Sequence, residues 1–188
     1  MSLRWLFMLS VLWLVGCKPE VKVVFDGVPP PPIEKNFERL PAILAGIPKT
    51  GDLRLYEGLP SDFWEPELME QELKRKKTIK LHGYPVYEEL LAMQGTDGEQ
   101  FTALFSARTS FATFTDAKKC EGFHADYGLE WKVGEETTHA LVGLECGEVK
   151  MYGPKSQLHC DLSPEAAQKL RQLLSRYRKN RPVETPSP

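Results

Sequence analysis

Hydrophobic and polar residues alternate at a spacing of two along much of the second half of the chain. In the segment DYGLEWKV, Tyr127, Leu129, Trp131 and Val133 alternate with polar or small residues, which predicts a half-buried strand. The segment GEE then forms a turn, and THALVGLECGEVKMY is predicted as one long strand with a bulge at Gly147. A further turn at GPKS leads into a strand over QLHCDL. This region therefore predicts an antiparallel sheet built around a long β-hairpin.

Three other segments are predicted to be helices. The segment SPEAAQKLRQLLSRYRKN has Ser163 as a helix cap and Pro164 at the first helical position. Its predicted buried stripe consists of Ala166, Leu170, Leu173, Leu174 and Tyr177. We also predict a helix over SDFWEPELMEQELKRKK, with Pro66 near its first turn. A third helix is predicted over TDGEQFTALF, where Thr96 and Glu99 have the spacing of a capping box.

Two further strands are predicted in the first half of the chain, over DLRLYEG and TIKLHGYPVY. Residues 21–25 predict a short edge strand. Strands and helices that occur in separate runs are typical of an α+β fold. We therefore expect one α+β domain over residues 37–180, with an antiparallel sheet packed by a C-terminal helix and one or two shorter helices. Residues 181–188 are polar and proline-rich, which predicts a disordered tail.

The N-terminal segment WLFMLSVLWLVGCKPE predicts a secretory signal. Arg4 precedes an apolar run of eleven residues, 5–15, which is much shorter than the roughly 20 residues of a membrane span. The sequence Leu14-Val15-Gly16-Cys17 resembles the lipobox of bacterial lipoproteins. That resemblance implies that residues 1–16 are removed and that Cys17 receives the lipid. The alternative is an uncleaved N-terminal helix.

A lipid on Cys17 would tether the protein to a bilayer without crossing it. Residues 17–36 then form the linker, in which four consecutive prolines at positions 29–32 favour an extended polyproline conformation. By analogy with Gram-negative lipoproteins, Lys18 permits sorting to the outer membrane. We therefore expect the cell envelope as the location, with the outer membrane facing the periplasm favoured over the inner membrane.

Composition argues against several classes of function. The chain has 24 basic and 26 acidic residues and a net charge of −2, so it lacks the basic surface that nucleic-acid binding usually requires. The basic run at positions 74–77 follows acidic residues, as expected for a solvated helix end. We find no GxSxG, HExxH, GxGxxG or P-loop motif, and no catalytic residue is predicted. His82 and His139 are predicted to face solvent. Asp126 and Glu130 share one strand face, which indicates a polar sheet face rather than a catalytic carboxylate pair.

Three cysteines remain once Cys17 carries lipid: Cys120, Cys146 and Cys160. Cysteine pairs outside the cytoplasm usually form disulfides. Folding of the predicted hairpin brings Cys120 and Cys146 to the same end, so we favour this pair, with Cys146–Cys160 as the next choice. The alternative is a zinc site formed by Cys120, His124, Cys146 and Cys160. Only Cys120 and His124 are closely spaced, and no CxxC motif is present, which favours the disulfide.

The segments KKCEGFHADYGLEW, LVGLECGEVKMYGP and LHCDLS, followed by the last helix, resemble a group of secreted or lipid-anchored proteins from planctomycete-type bacteria. The resemblance covers about residues 53–180. It implies that Cys120 and Cys146 are the shared pair, whereas Cys160 and His124 are more variable. It implies no known activity.

These observations favour a non-catalytic binding or structural module, held to the envelope through Cys17 and presenting one sheet face to an envelope protein. Joint exposure of Trp64, Tyr84 and Tyr87 would favour this role. The alternative is a metal-binding module with zinc at the cysteine and histidine cluster. A third class, an envelope enzyme, has no supporting motif.

Overall fold

The computed structural model describes residues 22–23, 33–49, 52–116, 118 and 122–181. The strands are β1 (Lys22–Val23), β2 (Asp52–Gly58), β3 (Thr78–Leu81), β4 (Tyr84–Leu91), β5 (Phe111–Ala112), β6 (Tyr127–Val133), β7 (Glu136–Gly143), β8 (Glu148–Tyr152) and β9 (Gln157–Leu162). The helices are α1 (Leu40–Leu44), α2 (Pro66–Arg75), α3 (Asp97–Ser106) and α4 (Pro164–Leu174).

The nine strands form one sheet in the order β1-β3-β4-β2-β6-β7-β8-β9-β5. Every pair of neighbouring strands is antiparallel except β1 and β3, which run parallel. The predicted α+β fold is therefore confirmed. The described residues include no helix with the length and apolar character that a membrane span needs.

The local signals of the last helix are confirmed in detail. Ser163 accepts a hydrogen bond from the backbone N–H of Ala166 at 3.3 Å, and Pro164 is the first residue of α4. All five residues of the predicted stripe are buried. The capping box at the start of α3 is wrong, since the side chain of Thr96 caps no backbone N–H of that helix.

Two predicted single strands are in fact hairpins. The segment TIKLHGYPVY contains β3 and β4, joined by a turn at His82 and Gly83, whose φ angles are 49° and 91°. The predicted long strand with a bulge at Gly147 contains β7 and β8, separated by a turn over residues 144–147. Both turns escaped prediction because apolar residues continue on either side of them.

One face of the sheet carries the main core, against which α1, α3 and α4 pack. Alternate residues of the central strands face this core, including Leu129, Trp131, Val149, Met151 and Cys160. Leu170 and Leu174 of α4 are fully buried against it. This layer fixes the orientation of the opposite face, because the side chains of a strand alternate between the two faces.

The opposite face carries a smaller cluster, formed by Tyr56, Ile79, Leu81, Val86, Ala125, Leu141 and Tyr152. His82, at the tip of the β3–β4 hairpin, stacks on Tyr152 of β8 with ring centroids 3.7 Å apart. Strand β8 is the fifth strand along the sheet from β3, so the two strands would lie roughly 24 Å apart if the sheet were flat. The sheet must therefore curl, so that the hairpin covers this face.

The folded body is longer than the predicted range 37–180. Glu34 bridges to Leu158, and its backbone oxygen accepts a hydrogen bond from the N–H of His159 at 2.8 Å. Arg181, which was assigned to the tail, forms two ion pairs within the body. Of the predicted linker, residues 17–36, the structure describes Lys22–Val23, which form β1, and residues 33–36. Cys17 and the four prolines at positions 29–32 lie outside the described residues.

Candidate functional site

A cleft of about 200 Å³ opens where three segments meet: residues 61–64, 122–126 and 143–148. The first segment is the turn before α2, the second leads into β6, and the third contains the β7–β8 turn. We call this feature the Trp64 cleft. The cleft lies near one end of the sheet, on the face to which the side chain of Glu148 points. The helices cover the other face, so the cleft is accessible from outside the main core.

The turn before α2 holds two large apolar side chains in solvent. Phe63 is 51% exposed and Trp64 is 58% exposed, and their rings meet edge to face with centroids 4.6 Å apart. The hydroxyl oxygen of Ser61 accepts hydrogen bonds from the N–H groups of Phe63 at 3.3 Å and of Trp64 at 3.2 Å. A carboxylate oxygen of Glu65 accepts one from the N–H of Ser61 at 3.2 Å. The exposure of the aromatic pair is thus built into a hydrogen-bonded turn.

Arg181 joins this turn to the start of β6. Its guanidinium donates to a carboxylate oxygen of Asp126 at 2.8 Å and to one of Glu65 at 2.8 Å. The other oxygen of Asp126 accepts from the N–H of Leu144 at 2.7 Å, which adds the third segment of the cleft. Burial raises the pKa of Glu65, but the hydrogen bonds from Arg181 and Ser61 outweigh it, so the pKa lies below its ordinary value. Glu65 is therefore ionised at neutral pH.

The C-terminal segment 179–181 is itself held by Glu57 of β2. The carboxylate of Glu57 accepts hydrogen bonds from the backbone N–H groups of Lys179 at 3.1 Å, Asn180 at 2.6 Å and Arg181 at 3.1 Å. A wider cleft of about 560 Å³ adjoins this segment, and Glu57, Asp126 and Arg181 are among its lining residues. The carboxylate of Glu57 is already occupied by the protein's own C-terminal segment, so the Trp64 cleft is the better candidate for a ligand.

Four carboxylates line the Trp64 cleft, from Asp62, Asp126, Glu145 and Glu148. Asp126 is paired with Arg181, whereas Asp62 and Glu145 are exposed and form no salt bridge within the described part of the chain. None of the described residues that line the cleft is a lysine or an arginine. The open part of the cleft is therefore negatively charged.

His124 is the one imidazole that lines the cleft among the described residues. Its Nε2 atom is buried, has no hydrogen-bond partner within the described part of the chain, and lies 3.7 Å from an oxygen of Asp126. Burial lowers the pKa of His124, although Asp126 acts in the opposite direction. A neutral imidazole does not offset the negative charge of the neighbouring carboxylates.

The predicted cysteine and histidine cluster is only partly assembled. Cys146 lines the Trp64 cleft with His124 and is not a free thiol. Cys160 is free and fully buried in the main core, on the other side of the sheet, which leaves no place for the alternative Cys146–Cys160 bridge. Burial raises the pKa of Cys160 to about 12. Cys120 lies outside the described residues.

The predicted zinc set therefore does not come together as proposed, because the sheet separates Cys160 from His124 and Cys146. Among the residues that the structure describes, no group of three or more histidine, cysteine, aspartate or glutamate side chains is arranged to hold a metal ion.

His82 and His139 do not face solvent as predicted. His139 is only 6% exposed, and its Nδ1 lies 3.1 Å from Nε2 of His82. The Nε2 of His139 donates to a carboxylate oxygen of Glu130 at 3.2 Å, and Arg54 pairs with the same carboxylate at 3.2 Å. In the neutral tautomer of His139 that carries its proton on Nε2, Nδ1 is the acceptor and Nε2 of His82 is the donor. The carboxylates of Asp126 and Glu130 have separate partners and do not form a pair.

A second group of buried charges lies on the same face and was not predicted. Lys150 is 9% exposed, donates to the hydroxyl of Tyr84, and lies 4.6 Å from the centre of the Phe123 ring. Beside it, Glu148 accepts from Nε2 of His159 at 2.8 Å and from Lys118 at 3.0 Å. The alternation of charged residues along β8 and β9 was the available signal. It indicates a polar face but does not show that the hairpin covers that face.

The three aromatic residues whose joint exposure would favour a binding role are not exposed together. Tyr87 is 1% exposed and donates to a carboxylate oxygen of Glu72 at 3.0 Å, and Tyr84 is half-buried beside Lys150. Trp64 is exposed, and the aromatic residue beside it is Phe63.

Comparison of the chain with protein-family models, with curated proteins and with solved structures finds no match.

Proposed function

We propose that this protein is a lipid-anchored, non-catalytic module of the bacterial envelope that docks a partner protein at the Trp64 cleft. The observation that carries this proposal is the exposed pair of Phe63 and Trp64, held by the hydrogen-bonded turn at Ser61. Large aromatic residues that are fixed before binding lose little conformational entropy on association, and they are frequent among the residues that dominate protein interfaces.

The chemistry of the cleft supports binding rather than catalysis. Ser61 is 4% exposed, and its hydroxyl already accepts two backbone hydrogen bonds, so it is held as a structural group and not as a nucleophile. Asp126 is tied to Arg181 and to the backbone of Leu144. A general base would need a free position near a reacting atom, and these groups are committed to holding the turn.

The proposed location in the envelope rests on the sequence Leu14-Val15-Gly16-Cys17, which lies outside the described residues. Under that assignment the domain folds in an oxidising compartment. We infer a Cys120–Cys146 disulfide, supported by the free state of Cys160 and by Cys146 not being a free thiol. Such a bridge would hold the second and third segments of the cleft together.

Lipid attachment and thiol count test the anchor and the disulfide. Labelled palmitate should enter the native protein and be absent from Cys17→Ser. After denaturation without reductant, one reactive thiol and no zinc are expected. Three reactive thiols together with one bound zinc ion would instead support the metal-binding alternative and overturn the disulfide.

Site-specific photo-cross-linking tests the docking role. A photoreactive phenylalanine analogue at position 63 of the full chain, expressed in its own envelope, should give a discrete adduct. The matched control places the analogue at Leu90, which is 44% exposed on β4 and distant in sequence from the cleft. The adduct from position 63 should disappear when Trp64→Ala is combined with it. Equal adducts from positions 63 and 90, or an adduct that Trp64→Ala does not change, would overturn the docking role.

A further inference from the structure

The Trp64 cleft combines a flat aromatic surface with negative charge. The exposed ring of Trp64 offers a π face, and the adjacent carboxylates of Asp62 and Glu145 form no salt bridge within the described residues. A cation placed over a tryptophan ring is attracted by the ring electrons, and an ion pair with a carboxylate adds to that attraction. Both features select a positively charged ligand.

On the basis of the proposed docking role, we propose that the Trp64 cleft binds the arginine or lysine side chain of a basic segment of the partner protein. The cation would lie against Trp64, with Asp62 and Glu145 as its counter-ions. The cleft volume of about 200 Å³ suits one long side chain rather than a folded element.

The buried Nε2 of His124 gives an independent reason for a ligand with N–H donors. His124 lines the cleft, and its buried Nε2 atom has no hydrogen-bond partner among the described residues. A buried polar atom that lacks a partner is costly, and a guanidinium or ammonium group can supply the missing donor. The three donor directions of an ammonium, or the five N–H groups of a guanidinium, allow one cation to reach both an imidazole nitrogen and a carboxylate.

The protein already binds a guanidinium with the same segments. Arg181 lies between Glu65, which follows the aromatic turn, and Asp126, which lines the cleft, with both contacts at 2.8 Å. The planar fork of an arginine matches carboxylates that approach it from two directions. A second cation on the open side of the cleft would repeat this arrangement with Asp62 and Glu145.

A metal ion is the less suitable occupant. The described residues offer no group of three ligating side chains, whereas calcium requires six to eight oxygen ligands and the rim here is aromatic. An anionic membrane surface is also disfavoured, because the lining carboxylates would repel it.

Fluorescence anisotropy with charged peptides tests the chemistry of the ligand. The probes are fluorescein-labelled, N-acetylated tetra-arginine amide and tetra-lysine amide, with tetra-glutamate as the anionic control. The full-length protein in a nonionic detergent should bind the two basic peptides and not the acidic one. Affinity should fall as salt rises, since exposed ion pairs are screened.

Asp62→Asn and Glu145→Gln should each weaken binding of the basic peptides by about threefold, the effect of one exposed ion pair. Trp64→Ala should weaken it by a similar factor of about three through loss of the cation–π contact. The matched controls are Glu136→Gln, an exposed carboxylate at the start of β7, and Leu90→Ala. Neither control should change the affinity.

The proposal would be overturned if Asp62→Asn and Glu145→Gln changed the affinity no more than the control Glu136→Gln does. The peptides would then respond only to the overall charge of the protein. Displacement of the basic peptides by micromolar calcium, with calcium itself requiring Asp62 and Glu145, would also overturn it in favour of a metal site. An adduct from position 63 together with no basic-peptide binding would leave the docking role standing but reject the cationic ligand. Binding of the basic peptides without any adduct from position 63 would reject the docking role in the envelope but retain the preference of the cleft for a cation.

Discussion

Arg181 donates to Asp126 at 2.8 Å although the two residues are 55 positions apart in the chain. The same guanidinium reaches Glu65, 116 positions away, also at 2.8 Å. Its side chain is only 18% exposed, and those of Glu65 and Asp126 are 11% and 16% exposed. This residue therefore ties the end of the folded chain to both the aromatic turn and the start of β6.

Arg181→Ala should lower the free energy of unfolding by about 2–3 kcal/mol, because it leaves two partly buried carboxylates without their cation. Arg181→Lys should be intermediate, since one ammonium cannot satisfy both carboxylates with the geometry of a guanidinium. Urea unfolding followed by circular dichroism measures both changes. The control Lys74→Ala removes an exposed ion pair of α2 and should leave stability nearly unchanged. If Arg181→Ala unfolded like Lys74→Ala, the C-terminal segment would not be part of the stable body.

The contacts of Arg181 are an example of structure that the local sequence pattern did not predict. Its neighbours are polar and proline-rich, so the local pattern indicates a tail. Local signals succeed where the interaction spans a few residues, as with Ser163 capping α4. Arg181 contacts two carboxylates whose segments are distant in sequence, and a local sequence pattern does not predict such contacts.

The candidate site was predictable only in part for the same reason. Cys146 and His124, two members of the zinc set that the sequence offered as an alternative, do line one cleft. Cys160 was excluded from it by strand alternation, which places its side chain on the helix-covered face. The burial of His139 follows from the curled sheet, and curling is a property of the whole fold rather than of one strand.

Gly58→Ala should be strongly destabilising, by about 3 kcal/mol or more, because β2 passes very close to the segment before β6. A Cβ atom at position 58 would lie 1.8 Å from the backbone oxygen of Ala125. The N–H of Gly58 also donates to the backbone oxygen of Asp126 at 2.7 Å, so the two segments cannot separate without losing this bond. Thermal and urea unfolding of the purified variant measure the effect.

Gly98→Ala is the matched control for this substitution. Gly98 lies in α3, and a Cβ atom there would meet no other atom within 4 Å. Alanine is favoured over glycine in a helix, so we expect a gain of about 0.5–1 kcal/mol. Similar effects at positions 58 and 98 would contradict the close approach of the two segments.

His82→Asn should make stability less dependent on pH. Burial, with a smaller contribution from His139, lowers the pKa of His82 from 6.5 to about 4. In that interval the unfolded chain binds a proton that the folded chain does not, so the free energy of unfolding falls as pH drops from about 6.5 to about 4. With a discount for partial exposure, His82 accounts for on the order of 1–2 kcal/mol of this loss.

Asparagine suits position 82 because it tolerates the positive φ of 49° and forms Asn-Gly, a favoured pair for two-residue hairpin turns. The other charged groups around this site, Glu130 and Arg54, are unchanged in the variant. Some acid dependence should remain, since burial also lowers the pKa values of His124 and His159. Unfolding free energies measured across this pH range should show a shallower slope for the variant. An unchanged slope would mean that His82 titrates as it does in the unfolded chain.

Cys160 should resist alkylation in the folded protein. Its side chain is fully buried in the main core, and burial, assisted by the neighbouring charge of Asp161, raises its pKa to about 12. The reactive thiolate is therefore scarce and inaccessible at mildly alkaline pH. Iodoacetamide followed by mass spectrometry should leave position 160 unmodified in the native protein and modify it fully in concentrated guanidinium chloride. Rapid native labelling would place this thiol outside the core.

Lys150→Met should preserve or increase stability, by up to about 1 kcal/mol, although it removes a charged group from the interior. The ammonium of Lys150 is surrounded by the rings of Tyr84 and Phe123, and burial lowers its pKa despite the opposing effect of Glu148. Its removal from water is costly, and an apolar side chain of similar length avoids that cost while still filling the space between the rings.

The exposed Lys132 of β6 provides the control for Lys150→Met, because Lys132→Met changes the same side chain at the surface and should be nearly neutral. Urea unfolding at neutral pH compares the two variants. A loss of more than about 2 kcal/mol for Lys150→Met alone would show that the contacts of the ammonium with Tyr84 and Phe123, together with its attraction to Glu148, outweigh its desolvation. In that case the buried charge would hold the β3–β4 hairpin against β8, rather than being tolerated there.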